Sequence, residues 1–91
     1  ELPLSRTNRS RTYVLFLVKI GHMSRLILLG KNIAKYRKEK YLSQEKLAEM
    51  VNLSREYITR VENGQKNISL KKLFAIADAL EVGFDQLADF R

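Results

Sequence analysis

An all-α fold of five short helices is predicted for most of this 91-residue chain, and three observations predict it. Apolar residues recur at three- and four-residue steps from Leu26 onward, which is the period of one helix face. Serines stand where successive apolar runs begin, as helix N-caps do. Asn and Gly stand where the runs end, as is typical of helix C-termini. The length corresponds to one small domain with at most a tail attached.

Serine caps divide the first part of the helical region into three helices. The apolar face of the first helix consists of Leu26, Leu29, Ile33 and Tyr36. Ser43 caps a short second helix, and Asn52, which tolerates positive φ, ends it. The buried side of this second helix is predicted to be Leu47, Ala48, Met50 and Val51. Ser54 caps the third helix, which Asn63-Gly64 closes. Its inward residues are Ile58 and Val61.

Two further helices complete the predicted bundle. Ser69 caps the fourth helix, which ends near Gly83. Its apolar stripe is predicted to be Leu70, Leu73, Phe74, Ala77 and Leu80. A short fifth helix starts at Phe84 or Asp85. The packing residues of the fifth helix are Leu87 and Phe90.

Charge and composition narrow the function classes. The net charge is +7, and residues 25–66 carry ten Lys and Arg against five Asp and Glu, whereas residues 70–91 carry three against four. This balance favours one face that meets a polyanion and another that meets protein, although a solvated Lys-rich surface has the same composition. With no Cys and a single His, the chain offers no disulfide, nucleophile–base pair or metal-ligand set. We therefore expect no enzyme, cofactor, metal site or small-molecule ligand.

Residues 1–24 differ from the rest and are predicted to be an N-terminal extension to a domain of residues 25–91. A basic stretch, Ser5–Thr12, precedes the apolar run Tyr13–Val18. The run is too short to cross a bilayer as a helix, and its β-branched and aromatic residues favour a strand. A secretory signal is an alternative, although no small-residue cleavage site follows. Gly21-His22-Met23 also resembles a cloning junction, which would place the natural start at Met23.

The second and third helices meet at a tight turn, Asn52-Leu53, which is the spacing of a helix-turn-helix. Four motifs surround this turn: Ile33-x-x-Tyr36-Arg37, Leu42-Ser43-Gln44-x-x-Leu47-Ala48, Leu53-Ser54-x-x-x-Ile58-x-x-Val61-Glu62-x-Gly64, and Leu73-x-x-Ile76-Ala77-x-x-Leu80. Because of these four motifs, the chain from about Leu29 to Phe90 resembles the phage-repressor (Cro/Xre-like) DNA-binding domain. That domain is a compact five-helix bundle. The sequence around Tyr57-Ile58 and Asn67-Ile68-Ser69-Leu70 further resembles that of the controller proteins of restriction–modification systems.

The outer face of the third helix carries the functional prediction. At about 100° per residue, the side opposite the buried residues is polar. The outward residues are Glu56, Thr59, Arg60 and Asn63, and Arg55 projects from the N-terminal end of the helix. Arginine binds guanine O6 and N7 with two parallel hydrogen bonds, so this face suits the major groove. The plainer alternative is that Glu56 and Arg60 form an i,i+4 surface pair.

The resemblance implies a sequence-specific, double-stranded-DNA-binding transcription regulator with Ser54–Asn63 in the major groove. It further implies a homodimer on a palindromic operator and a cytoplasmic, nucleoid-associated protein. The residues that it places at base edges are Arg55, Glu56, Thr59 and Arg60. Those that it places at phosphates are Gln44, Ser54, Asn63 and Lys66. It also implies a structural ion pair between Arg37 and Glu62.

Two points stay open at this stage. Self-association is assigned to the fifth helix, through Phe84, Leu87 and Phe90, or to the apolar segment Tyr13–Ile20. The alternative function is a helical protein-interaction module, antitoxin- or adaptor-like, that uses Tyr13–Ile20 and for which DNA binding is secondary.

The chain also departs from the family at Lys40-Tyr41 and at Asn52, where Gly is usual. Tyr41 predicts local strain or a different turn.

Overall fold

The computed structural model describes residues 25–90, and five helices occur in that part of the chain. They are residues 25–39 (α1), Gln44–Met50 (α2), Arg55–Glu62 (α3), Leu70–Leu80 (α4) and Phe84–Leu87 (α5). The predicted all-α class is confirmed for these residues. The extension of residues 1–24, with its strand, signal and partner-surface interpretations, lies outside the described part. None of the five helices has the length and apolar character that a bilayer crossing requires.

The three predicted serine N-caps are confirmed. Ser43, Ser54 and Ser69 have extended backbone, and each hydroxyl oxygen accepts a hydrogen bond from the backbone N–H three residues later. The donors are Lys46, Tyr57 and Lys72, at 2.9, 3.0 and 3.2 Å. Each bond satisfies one of the backbone donors that a helix start leaves without a partner. The starts of α2, α3 and α4 are therefore fixed by local sequence.

Four helices end with the same backbone arrangement. The terminating residues Tyr41, Asn52, Gly64 and Glu81 have φ of 58°, 59°, 73° and 60°. In each case the N–H of this residue bonds the carbonyl three residues back, and the next N–H bonds the carbonyl five residues back. This is the Schellman motif, which satisfies carbonyls at the end of a helix. The predicted end of α4 near Gly83 is wrong, because the chain turns at Glu81 and Gly83 is the N-cap of α5.

Tyr41 adopts a left-handed conformation that glycine adopts without strain, and its side chain is 96% exposed. A side chain with a Cβ costs about 1–2 kcal/mol there, part of which glycine loses again through its flexible unfolded state. We expect Tyr41→Gly to raise the free energy of unfolding by about 0.5–1 kcal/mol and the melting temperature by a few degrees. Thermal unfolding followed by circular dichroism measures this. Tyr41→Ala keeps the Cβ, so an equal gain in that variant would contradict the backbone explanation.

The core takes at least one fully buried side chain from every helix. These residues are Ile33, Leu47, Ile58, Ile76, Leu80 and Leu87. The prediction of a buried Met50 is wrong, since this residue is 47% exposed. Of the apolar stripe predicted for α4, Leu70 and Phe74 are 60% and 48% exposed. These helices are short and packed on one side only, so the apolar stripe of each is wider than the surface that covers it.

Contacts from α1 fix the position of the neighbouring helices. A Cβ added to Gly30 would lie 2.7 Å from the backbone carbonyl carbon of Glu62, so α1 crosses the end of α3 at close range. The Asn32 amide donates to the backbone oxygens of Leu87 at 2.8 Å and Asp89 at 2.9 Å, which ties the end of α5 to α1. Beyond α1, Lys40 pairs with Glu81. The hydrogen bond from Lys40, with its positive charge, holds the pKa of Glu81 below its ordinary value.

Candidate nucleic-acid interface

The helix pair α2–α3 is held rigidly by the core. Ile58 and Val61 on the inner side of α3 are 0% and 2% exposed. Ala48 of α2 is also buried, and a small side chain there lets the two helices approach closely. Asn52 turns the chain between them, and the N–H of Leu53 closes the turn on the carbonyl of Ala48 at 2.9 Å. The orientation of α3 therefore follows from apolar packing and one tight turn.

The opposite side of α3 faces solvent. Arg55, Glu56 and Arg60 are exposed, and Thr59 is half-buried. Two shallow grooves run along this face, and Glu56 and Arg60 line both of them. Neither side chain belongs to an ion pair among residues 25–90. The alternative of a Glu56–Arg60 surface pair is thus not what the structure shows, and both charged groups are open to a ligand.

A second cluster of positive charge lies beside α3. The ammonium groups of Lys66 and Lys72 lie 5.6 and 4.9 Å from the centre of the Tyr57 ring, which is half-buried. Cations at these distances are attracted to the face of an aromatic ring. The sequence predicts Lys66 as a DNA-contacting residue, and the resemblance also places Gln65, which lines one groove, beside the DNA. It does not predict the contribution of Tyr57 and Lys72. Helical spacing along the sequence does not predict that Lys72 lies near α3, because Lys72 belongs to α4 and reaches Tyr57 only through the packing of the two helices.

A buried polar network joins α1, α2 and α3. Arg37 and Glu62 are 8% and 9% exposed, and the guanidinium binds the carboxylate through two hydrogen bonds of 2.6 and 3.1 Å. Arg37 also donates to the backbone oxygen of Leu42 at 2.7 Å. The Gln44 amide donates to Glu62 at 2.9 Å and accepts from the Thr59 hydroxyl at 2.9 Å. Every buried side-chain nitrogen and oxygen among the described residues has a partner.

The residues expected at phosphates take different places. Ser54 and Lys66 line one groove together. Asn63 is exposed at the C-terminal end of α3 and belongs to neither groove lining. Gln44 is half-buried at the start of α2 and is held to α3 by the polar network.

Within residues 25–90, no three acidic or histidine side chains converge as a metal ion requires.

Comparison with known proteins decides the family. A family model described as helix-turn-helix, HTH_3, matches residues 33–87, more than half of the chain. The chain belongs to the HTH_3 helix-turn-helix family. The similarity to the Cro/Xre-like repressor domain is thereby confirmed. This is a family of transcription regulators, and on that ground the expectation that the chain is not an enzyme is confirmed as well.

Three relatives illustrate the similarity of this helix-turn-helix chain to known proteins. The control protein C.SmaI of Serratia marcescens is 40% identical over 60 residues, which are 66% of this chain and 71% of the relative. The restriction–modification controller protein C.AhdI of Aeromonas hydrophila superposes with a TM-score of 0.68 at 38% identity, over 70% of this chain and 97% of its own. SinR, the master regulator for biofilm formation, was solved in complex with DNA. It matches with a TM-score of 0.63 at 35% identity, over 67% of this chain and 98% of its own.

This helix-turn-helix domain also exposes an apolar surface formed by α4 and α5. Leu70 and Phe74 stand one helical turn apart on α4 and are 60% and 48% exposed. The Phe74 ring lies 5.3 Å from that of Phe84, which is 39% exposed. We call these three residues the α4–α5 apolar surface. The expectation that Leu87 contributes to self-association is wrong, because this side chain is fully buried in the core.

Proposed function

We propose that this chain is a sequence-specific, double-stranded-DNA-binding transcription regulator that inserts α3 into the major groove. The observation that carries the proposal is the two-sided character of α3. Its inner side is buried, and its outer side presents two arginines and a carboxylate that form no ion pair with any other residue of 25–90. The major groove of B-DNA is about 12 Å wide and admits a helix. The similar protein SinR was solved in complex with DNA, which supports DNA as the ligand of this chain.

We assign Arg55, Glu56 and Arg60 to base edges. A guanidinium donates to O6 and N7 of guanine, and a carboxylate accepts from N4 of cytosine. Phosphates repel a carboxylate, so Glu56 favours binding only where its hydrogen bond to such an amine offsets this repulsion. Thr59 lies on the same face of α3, and it is the resemblance to the repressor family that places this residue at a base edge.

We assign Gln44, Ser54, Asn63 and Lys66 to phosphates, since polar and cationic groups at the edges of the reading helix position a protein on the duplex without reading sequence. Lys66 and Ser54 line the same groove along α3, and Ser54 is the N-cap of this helix. Asn63 stands at the other end. The Arg37–Glu62 pair, which bridges α1 and α3, keeps α3 in the orientation that these contacts need.

We further propose that the regulator acts as a homodimer on a palindromic operator. One domain reads only a few base pairs, whereas two copies related by a two-fold axis read half-sites about one helical turn apart. The α4–α5 apolar surface supplies an exposed patch of the kind that associates. We propose that the regulator acts in the cytoplasm, at the nucleoid.

Selection of bound duplexes from a random pool tests the proposal, and Arg60→Ala tests the reader. We expect the selection to return a palindrome. We expect Arg60→Ala to weaken binding to it by about 1–3 kcal/mol and to relax the preference at one base pair of each half-site. The measurement is a gel-shift titration at fixed salt, because affinity for DNA depends steeply on salt concentration.

Lys38→Ala is the matched control for Arg60→Ala. It removes the same charge from an exposed side chain of α1. We expect it to change binding slightly and equally for all sequences. Steeply salt-dependent binding with no preferred sequence would refute sequence-specific regulation. A palindrome whose base preferences survive Arg60→Ala would refute the role of Arg60 alone.

A further inference from the structure

We propose that Thr59 is a positioning residue, which orients the Gln44 amide for its contact with the DNA backbone and does not read a base. The inference rests on the proposed function, since it concerns how the same surface binds DNA. It starts from one observation. The two polar atoms of the Gln44 side chain are both engaged by residues of α3, with Glu62 on the nitrogen and Thr59 on the oxygen.

The orientation of the Gln44 amide is set by Glu62. The two carboxylate oxygens accept hydrogen bonds from Arg37, Oε2 from Nε at 2.6 Å and Oε1 from Nη2 at 3.1 Å. A carboxylate held in this way only accepts. The amide group next to it must therefore present its nitrogen, and Gln44 Nε2 donates to Glu62 Oε1 at 2.9 Å. Rotation of the amide by 180° would bring two acceptor oxygens together, which is unfavourable at low solvent exposure.

The Thr59 hydroxyl completes this arrangement. It has one hydrogen and two acceptors within reach, Gln44 Oε1 at 2.9 Å and the backbone oxygen of Arg55 at 3.0 Å. Since Glu62 turns the amide oxygen toward Thr59, the hydroxyl is the donor that satisfies this oxygen. The second hydrogen of Gln44 Nε2 takes no acceptor within residues 25–90. This N–H is the donor left for a phosphate oxygen, and its direction depends on the two bonds that hold the amide.

A residue that acts in this way affects binding without affecting sequence preference. Phosphates are the same at every position, so a weaker contact from Gln44 lowers affinity for all duplexes by one factor. A base reader behaves differently, because its loss changes the preference at one base pair. Thr59→Val tests the distinction, since valine keeps the branched shape and removes the hydroxyl.

The experiment is a gel-shift titration of Thr59→Val, Gln44→Ala and the double variant against the selected operator, its single-base variants and an unrelated duplex. We expect Thr59→Val to weaken binding about three- to tenfold, as the loss of one hydrogen bond does, and by the same factor on every duplex. In the Gln44→Ala background the same substitution should have no effect. Thr59→Ser keeps the hydroxyl and should bind as the original chain does. Melting temperatures of all variants show that each is folded.

Two results would overturn the assignment. One is a changed preference at a single base pair in Thr59→Val, which would make Thr59 a base reader, for example through its methyl group and thymine. The other is an undiminished loss in the Gln44→Ala background, which would show that Thr59 acts without Gln44. Failure of the proposed function has a different signature, because the original chain would then show no preferred sequence.

Discussion

Glu62→Ala is expected to lower the free energy of unfolding by about 3–5 kcal/mol, the cost of breaking one side of a buried ion pair. Arg37 and Glu62 are 8% and 9% exposed, so the truncation leaves a guanidinium inside the protein with two hydrogen bonds lost. The Gln44 amide loses its acceptor in the same step. Small domains are stable by about 5–15 kcal/mol in total. Denaturant unfolding followed by circular dichroism measures the loss, and DNA binding should fall with the folded fraction.

Two controls separate this mechanism from a general effect of losing a glutamate. Glu45→Ala removes an exposed carboxylate from α2 and should change stability by no more than about 0.5 kcal/mol. The double variant Arg37→Met, Glu62→Leu removes both charges, and we expect it to be more stable than Glu62→Ala, because no buried charge is left alone. A Glu62→Ala variant within about 1 kcal/mol of the original chain would show that the pair is not buried in solution.

The features of the fold that sequence predicts correctly are local ones. Ser43, Ser54 and Ser69 cap helices through a backbone N–H only three residues away, so a short window of sequence contains both partners. Asn52 and Gly64 end helices through their own tolerance of positive φ. The helix-turn-helix and the outer face of α3 follow from these boundaries together with helical periodicity.

What sequence does not predict depends on contacts between distant segments. Glu81 adopts positive φ although its residue type disfavours it, because the helices on each side fix the turn. At Tyr41 the strain is expected only because the resemblance marks this position as one where Gly is usual. Periodicity marks Met50, Leu70 and Phe74 as apolar-face residues but does not say whether a neighbour covers them. The hydrogen bond between Gln44 and Thr59 joins two helices and needs the Glu62 carboxylate to orient it.

Phe74→Glu is expected to convert the proposed dimer into monomers and to lower operator affinity by about 10²–10⁴-fold. When two linked domains share an operator, the second half-site is bound in an intramolecular step, and separate monomers lose that advantage. The substitution also removes the Phe74 ring that packs against Phe84, and the new carboxylates of two copies repel each other across a two-fold axis. Sedimentation velocity reports the assembly state, and a gel-shift titration reports the affinity.

The strength of this test lies in its control and in one rescue. Leu28→Glu places the same charge change on α1 at a residue that is 37% exposed, so long-range repulsion from DNA is similar in both variants. Only Phe74→Glu should alter the sedimentation coefficient. Two Phe74→Glu domains joined in one chain by a flexible linker should recover most of the affinity, because the linker replaces the interface. If Phe74→Glu stays dimeric with unchanged affinity, the α4–α5 apolar surface is not the interface and another part of the chain must provide it.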